Sequence, residues 1–147
     1  MTTSTIATTV TQDQAVRLSD DGTAITIIDQ TLLPNQLVHL DLTERQQMFD
    51  AIKLLKVRGA PAIGVCAGYC YYVLAQKASQ DAADYDSFVS TMSAERDFLN
   101  SSRPTAVNLS WALDRMHAVV TTSARLDPED VVPLLHDECI AIHREDL

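Results

Sequence analysis

The 147-residue chain has no apolar run of the roughly 18–20 residues that a membrane-spanning helix needs. Its longest apolar stretch, Ala60 to Ala75, is broken by Pro61, Gly64 and Gly68. The Thr-rich start lacks the basic segment and apolar core of a secretory signal. Cysteine is sparse: Cys66, Cys70 and Cys139 are an odd set without disulfide-framework spacing, which fits free thiols in a reducing cytosol. Positive charge is scarce as well. Eleven basic residues face 20 acidic ones, a net charge of -9 that argues against general binding to nucleic acid or acidic membrane. That balance still permits one small anionic ligand at a local positive site. No internal repeat or low-complexity linker is present.

What the chain does have is ordinary globular composition, with 46% hydrophobic and 21% charged residues, which excludes intrinsic disorder for most of it. Residues 1–14 are polar and Thr-rich, and a flexible N-terminal segment is expected there. Residues 15–147 are expected to form an α+β domain, mostly α: a small antiparallel sheet over about 24–42, then five helices over about 43–147. Ala24 to Ile28 is a β-rich run preceded by an Asp21-Gly22 turn signal. Leu32 to Asn35 is a second turn, and Gln36 to Leu42 alternates like a half-buried strand.

Helix signals follow in series. Thr43 and Gln46 form a capping-box pattern ahead of Met48, Ile52 and Leu55. Gly59 is placed to end that helix in a left-handed cap, and Pro61 to open the next. The helix from Pro61 to about Ala78 is apolar nearly all round and is expected at the centre of the core. A third is expected over Asp84 to Asn100, with Tyr85, Val89 and Met92 on one face. A fourth is expected to open at Pro104 and run to about Thr121. A fifth, capped by Asp127 and Pro128, has Val132, Leu135, Cys139 and Ile142 inward. It reaches Leu147 without a stop signal, which suggests a piece of a longer protein or a frayed terminus.

Three patterns could carry chemistry. Lys53, Lys56 and Arg58 lead into Gly59 and a helix start, where unpaired N–H groups and the helix dipole favour an anion. Arg58 can add a bidentate contact to phosphate. A plain interhelical turn with solvated basic residues is the alternative. Arg103, directly before Pro104, repeats the device, and both starts could converge on one ligand. Ser101, Ser102 and Asn108 near it read as capping or helix–helix hydrogen bonders. His136, Cys139 and His143 share one helix face at metal-ligand spacing, but a fourth ligand is missing and Cys139 lies on the apolar stripe. Cys66 and Cys70 read as core. His39 and His117 have no visible partner, and no nucleophile–base pair stands out.

The segments Leu54-Leu55-Lys56-Val57-Arg58-Gly59-Ala60-Pro61-Ala62-Ile63-Gly64 and Asn100-Ser101-Ser102-Arg103-Pro104-Thr105-Ala106-Val107-Asn108-Leu109-Ser110-Trp111-Ala112-Leu113 closely resemble the methylthioribose-1-phosphate isomerase family. Ile28 to Pro34 is similar to its N-terminal strand and turn. The wider family includes ribose-1,5-bisphosphate isomerases and the regulatory alpha, beta and delta subunits of the translation-initiation guanine-nucleotide exchange factor. The resemblance implies a cytoplasmic enzyme of methionine salvage that converts an aldose 1-phosphate to a ketose 1-phosphate. It implies no metal and no organic cofactor, and a homodimer at full length. Arg58, Gly59, Ala60 and Arg103 match the positions that bind substrate. Family members are more than twice as long, with a Rossmann-like second domain. Their catalytic cysteine and aspartate would lie beyond Leu147, so no catalytic residue is assigned here. The expected partner is a small phosphorylated sugar. A non-catalytic sugar-phosphate or nucleotide-sensing module and an interaction domain with a vestigial site are the alternatives. Self-association through an uncovered apolar face is expected of the shorter chain.

Overall fold

A computed structural model describes residues 15–54, 56–57, 59–123 and 126–145. The expected N-terminal segment 1–14 lies outside the described residues, as do Leu55 and Arg58. Three strands, β1 (Val16–Leu18), β2 (Ile25–Ile28) and β3 (His39–Leu42), form an antiparallel sheet in the order β1-β2-β3. Five helices follow: α1 (Arg45–Lys53), α2 (Ala60–Asp81), α3 (Tyr85–Asn100), α4 (Val107–Thr121) and α5 (Pro128–Glu145). The mostly helical α+β reading therefore holds, with one strand more than the two runs the sequence shows.

The β1–β2 hairpin turns where Asp21-Gly22 predicts. Gly22 has φ +75°, and the Asp21 carboxylate accepts hydrogen bonds from the Ser19 and Thr23 hydroxyls and the Thr23 N–H. These bonds favour the ionised form and hold Asp21 below the usual carboxylate range. Beyond β2, Gln30–Leu32 forms a short 3-10 turn capped by Asp29, whose carboxylate accepts from Thr31 N–H at 3.0 Å. β3 starts at His39, three residues later than its alternation suggests. Its inward residues are Leu40 and Leu42, with His39 and Asp41 facing out.

Helix α2 is the centre of the body, as its all-round apolar sequence requires. It packs on α3, α4 and α5 and against β1 and β2. Two glycines let the neighbours approach. A Cβ on Gly64 would stand 3.4 Å from the Asn108 carbonyl of α4, and one on Gly68 would stand 3.3 Å from the Ile142 side chain of α5. Buried Tyr71, Phe88, Met92, Leu99, Leu113, Met116 and Leu135 fill the space between the helices. On the rim, Arg45 pairs with Glu95 at 2.7 Å and lies 3.8 Å above the Phe98 ring, which stacks on Phe49. This set ties α1 to α3.

Several boundaries differ from the sequence reading. The box that opens α1 uses Glu44 and Gln47 rather than Thr43 and Gln46: the Gln47 side-chain oxygen accepts from both Thr43 N–H and Glu44 N–H. Helix α1 closes at Lys53 on Leu54, so Gly59 does not cap its end. The buried stripe of α3 is Phe88, Met92 and Leu99. Tyr85 and Val89 are half-buried, and the Tyr85 hydroxyl donates to the Val120 carbonyl. In α5, Val131 takes the fully buried place expected of Val132. The largest shift is at α4, which starts at Val107 and not at Pro104.

Candidate functional site

The segment before α2 is tethered from two sides. Lys56 N–H and Val57 N–H return to the Ala51 carbonyl at 3.0 and 3.3 Å. The Lys56 carbonyl in turn accepts from Gln30 N–H at 2.9 Å. That bond joins the Ile28–Pro34 turn to the basic segment, and Val57 anchors it in the core at 1% exposure. Gly59 then serves as N-cap of α2 with φ +88° and ψ 135°, a conformation close to the region that only glycine occupies readily. Nothing lies within 4 Å of where its Cβ would be, so glycine is required there by the backbone and not by crowding. Pro61, in the first turn, lacks an N–H that the helix would leave unpaired anyway. Ile63 N–H already bonds the Gly59 carbonyl at 3.0 Å, which leaves the amides of Ala60 and Ala62 at the helix mouth.

Of the four residues expected to hold substrate, Gly59 and Ala60 stand at this mouth. Arg58 lies outside the described residues. Arg103 is half-buried in a turn before α4: its N–H donates to the Asn100 carbonyl and its carbonyl accepts from Ala106 N–H at 2.9 Å. Ser101 and Ser102 act as capping residues of α3, their hydroxyls donating to the Phe98 and Leu99 carbonyls at 2.6 Å each. Asn100 accepts from the Ser110 hydroxyl at 2.7 Å, which staples the end of α3 to α4.

The starts of α2 and α4 do meet. A cavity of about 180 Å³ is lined by Pro61, Gly64 and Val65 of α2, Asn108 and Trp111 of α4, and Ile142 and Glu145 of α5. Both sequence motifs thus contribute to one hollow. Arg103 is not among the described residues that line it. Trp111 is 50% exposed and Val107 78%, so the outer wall of this region is open and apolar. Arg115 lies 5.4 Å from the Trp111 ring centre and grips the Glu145 carboxylate with two N–H groups, at 2.9 and 2.7 Å, and Glu138 with a third. This clamp holds the end of α5 against α4 and depresses the Glu145 carboxyl below its ordinary value.

The metal reading of His136, Cys139 and His143 is not realised, and among the described residues no group of three His, Cys, Asp or Glu could hold a metal ion. Cys139 is buried, with its thiol donating to the His136 carbonyl, and burial pushes it up to about 12. His143 meets the Tyr69 hydroxyl through Nδ1, and His136 lies against Tyr72. Cys66 and Cys70 are fully buried with sulfurs 3.8 Å apart, and desolvation raises the Cys70 thiol strongly. Burial thus disfavours the thiolate of Cys70 and of Cys139.

Sequence reasoning missed one polar network. His117 is not partnerless: its Nδ1 meets the Tyr71 hydroxyl at 2.8 Å and its Nε2 the Ser93 hydroxyl at 3.2 Å. The three residues come from α2, α4 and α3, so spacing along the chain could not reveal them. Burial lowers the His117 pKa, with Arg96 adding to it, and burial raises that of Tyr71. At 6% exposure the imidazole is a helix-bundle pin, not a reachable base.

Comparison with known proteins places the family. Residues 56–147 match the model of the initiation factor 2 subunit family. The methylthioribose-1-phosphate isomerase of Parabacteroides distasonis is 44% identical over 131 residues, which cover 89% of this chain and 38% of that protein. The 5-deoxyribose 1-phosphate isomerase of Clostridium botulinum (strain Okra) is 37% identical over 133 residues, covering 90% and 38%. The crystal structure of 5-methylthioribose 1-phosphate isomerase from Pyrococcus horikoshii superposes with a TM-score of 0.82 at 30% identity, over 89% of this chain and 36% of that one. The chain spans a little over a third of the length of these relatives. No helix among the described residues is long and apolar enough to cross a membrane. With more than half of its length matched by the family model, the chain belongs to the initiation factor 2 subunit family.

Proposed function

We propose that this chain is the substrate-binding N-terminal part of a cytoplasmic sugar-1-phosphate isomerase that converts 5-methylthioribose 1-phosphate to the corresponding ketose 1-phosphate. The observation that carries the reading is the glycine-capped start of α2, open to a ligand, within a chain 44% identical to a methylthioribose-1-phosphate isomerase. The phosphate sits at the mouth of α2, held by the amides around Gly59 and Ala60 and by the guanidinium groups of Arg58 and Arg103. A helix N-terminus supplies both unpaired donors and a partial positive charge for this. No metal or organic cofactor takes part.

Isomerisation moves hydrogen between C1 and C2, which needs an acid/base pair or a polarised site at both carbons. The three buried thiols are unsuited to that role. The chain therefore binds and orients the sugar, and turnover by the 147 residues alone is negligible. Catalytic groups come from the part of the relatives that this chain does not span, and the complete enzyme is a homodimer.

Calorimetric titration of the chain with 5-methylthioribose 1-phosphate tests the reading. Saturable one-to-one binding that is lost in Arg58→Ala and weakened in Arg103→Ala is expected. Affinity unchanged in both variants would overturn it. Measured isomerase activity of the chain alone would contradict the assignment of catalysis elsewhere. The match to a family described by an initiation factor favours one second reading, a non-catalytic sugar-phosphate or nucleotide sensor. Preference for a nucleotide over the methylthio sugar would select it.

A further inference from the structure

We infer that the cavity between α2, α4 and α5 is the pocket for the C5 substituent of the sugar phosphate, with Trp111 as its specificity-determining wall. The inference rests on the sugar-phosphate reading above and concerns the opposite end of the same ligand. Three observations carry it. First, the hollow lies at the right distance: Gly64 follows Gly59 by five residues, about 7.5 Å along the axis of α2 at 1.5 Å per residue, comparable to the length of a pentose. Second, the lining is mixed, and its apolar part includes buried Val65 and Ile142 and the half-exposed indole of Trp111. The polar members are Asn108, whose amide can meet a sugar hydroxyl, and Glu145, which Arg115 already engages. Third, the relatives named above act on 5-methylthioribose 1-phosphate or 5-deoxyribose 1-phosphate, two sugars that share the lack of a 5-hydroxyl. A hollow of about 180 Å³ has room for a methylthio group and offers no described anchor dedicated to a hydroxyl at that carbon.

Trp111 is the single tryptophan of the chain and is half-exposed, so it reports on its own pocket. The arginine clamp fixes its position: Arg115 sits beside the ring and is itself held by Glu138 and Glu145. An apolar group in the hollow would exclude water from the inner edge of the indole.

The test is a parallel titration of the 147-residue chain with inorganic phosphate, ribose 1-phosphate and 5-methylthioribose 1-phosphate, followed by calorimetry and tryptophan emission. The methylthio sugar is expected to bind at least about ten-fold more tightly than ribose 1-phosphate, the lower end of what an apolar pocket achieves over such a difference. It alone shifts the emission to shorter wavelength. Trp111→Ala, followed by calorimetry, weakens the methylthio sugar more than ribose 1-phosphate and so removes most of that preference. Equal affinity for the two sugars, or an unmoved emission at saturation, overturns the pocket and leaves the phosphate site standing. Failure of all three phosphates to bind overturns the sugar-phosphate reading and the pocket with it.

Discussion

The two helix starts that carry the family motifs have the same sequence device, an arginine close before a proline, yet they are built differently. At α2 the chain enters the helix at once: Gly59 caps, Ala60 and Pro61 are already helical, and Ile63 N–H bonds the Gly59 carbonyl. At α4 the proline stays outside. Residues 101–105 form turns, Arg103 sits within them, and the helix begins at Val107 behind an Ala106 cap that has no side chain to bond an N–H. Proline at a helix start is thus permitted by physics and not dictated by it. The residues two before the prolines differ: Gly59 takes φ +88°, whereas Ser102 is engaged in closing α3. Under the proposed function, the first start receives the phosphate and the second supplies Arg103 to the same ligand.

That contrast can be broken by substitution. The largest effect is expected on binding. Arg58→Ala should cost about ten-fold or more in affinity for 5-methylthioribose 1-phosphate, the scale of a lost charge-assisted hydrogen bond. Arg103→Ala should cost less, since Arg103 is half-buried in a turn; calorimetry on the two variants measures the ratio. Next comes Gly59→Ala, which should lower stability by about 1–3 kcal/mol through backbone strain alone, because open space surrounds the position. Pro104→Ala, in contrast, should stay within about 0.5 kcal/mol, as for an exposed residue outside any helix. Urea midpoints decide both. Ala106→Ser should act in the other direction, adding about 1 kcal/mol by supplying α4 with the cap it lacks. The same measurement would show it.

The smallest effect is expected as a slope. His117 is held neutral in the fold, chiefly by burial and then by Arg96, with Asp114 and Asp97 acting the other way. Its folded pKa lies below the ordinary 6.5, so its contribution is present above that pH. It is lost as pH falls from 6.5 through the folded value, because the unfolded chain takes up the proton first. Urea midpoints should drop between pH 7.5 and 5.5, and His117→Gln should flatten that drop. An equal slope in the variant would remove His117 as its source.

Periodicity made the helical body legible in the sequence because α2, α3 and α5 have long apolar faces and strong starts at Pro61, Asp84 and Pro128. β1 was not legible: three residues, Val16 to Leu18, give no period to count, and only pairing with β2 defines them. The α1 cap slid by one residue because Glu44 and Gln47 form the same box as Thr43 and Gln46 would. Of the candidate site, the helix start at Gly59 was legible, since it depends on local chemistry, whereas the nearness of the second motif is set by the packing of α4 on α2. The hollow beneath was not. It needs Ile142 and Glu145, more than 75 residues along the chain from Gly64, and arises only when α5 packs across Gly68. The Tyr71–His117–Ser93 pin stayed hidden for the same reason.

The central claim is that one phosphorylated sugar lies across both helix starts. Nitrogen-15 amide shifts of the chain, followed during titration with 5-methylthioribose 1-phosphate, test it most directly. The account predicts saturable shifts, with a single dissociation constant, at Gly59, Ala60 and Ala62 together with Arg103 and Asn108. Shifts confined to one of these groups, or centred on the sheet or the outer face of α5, would contradict it.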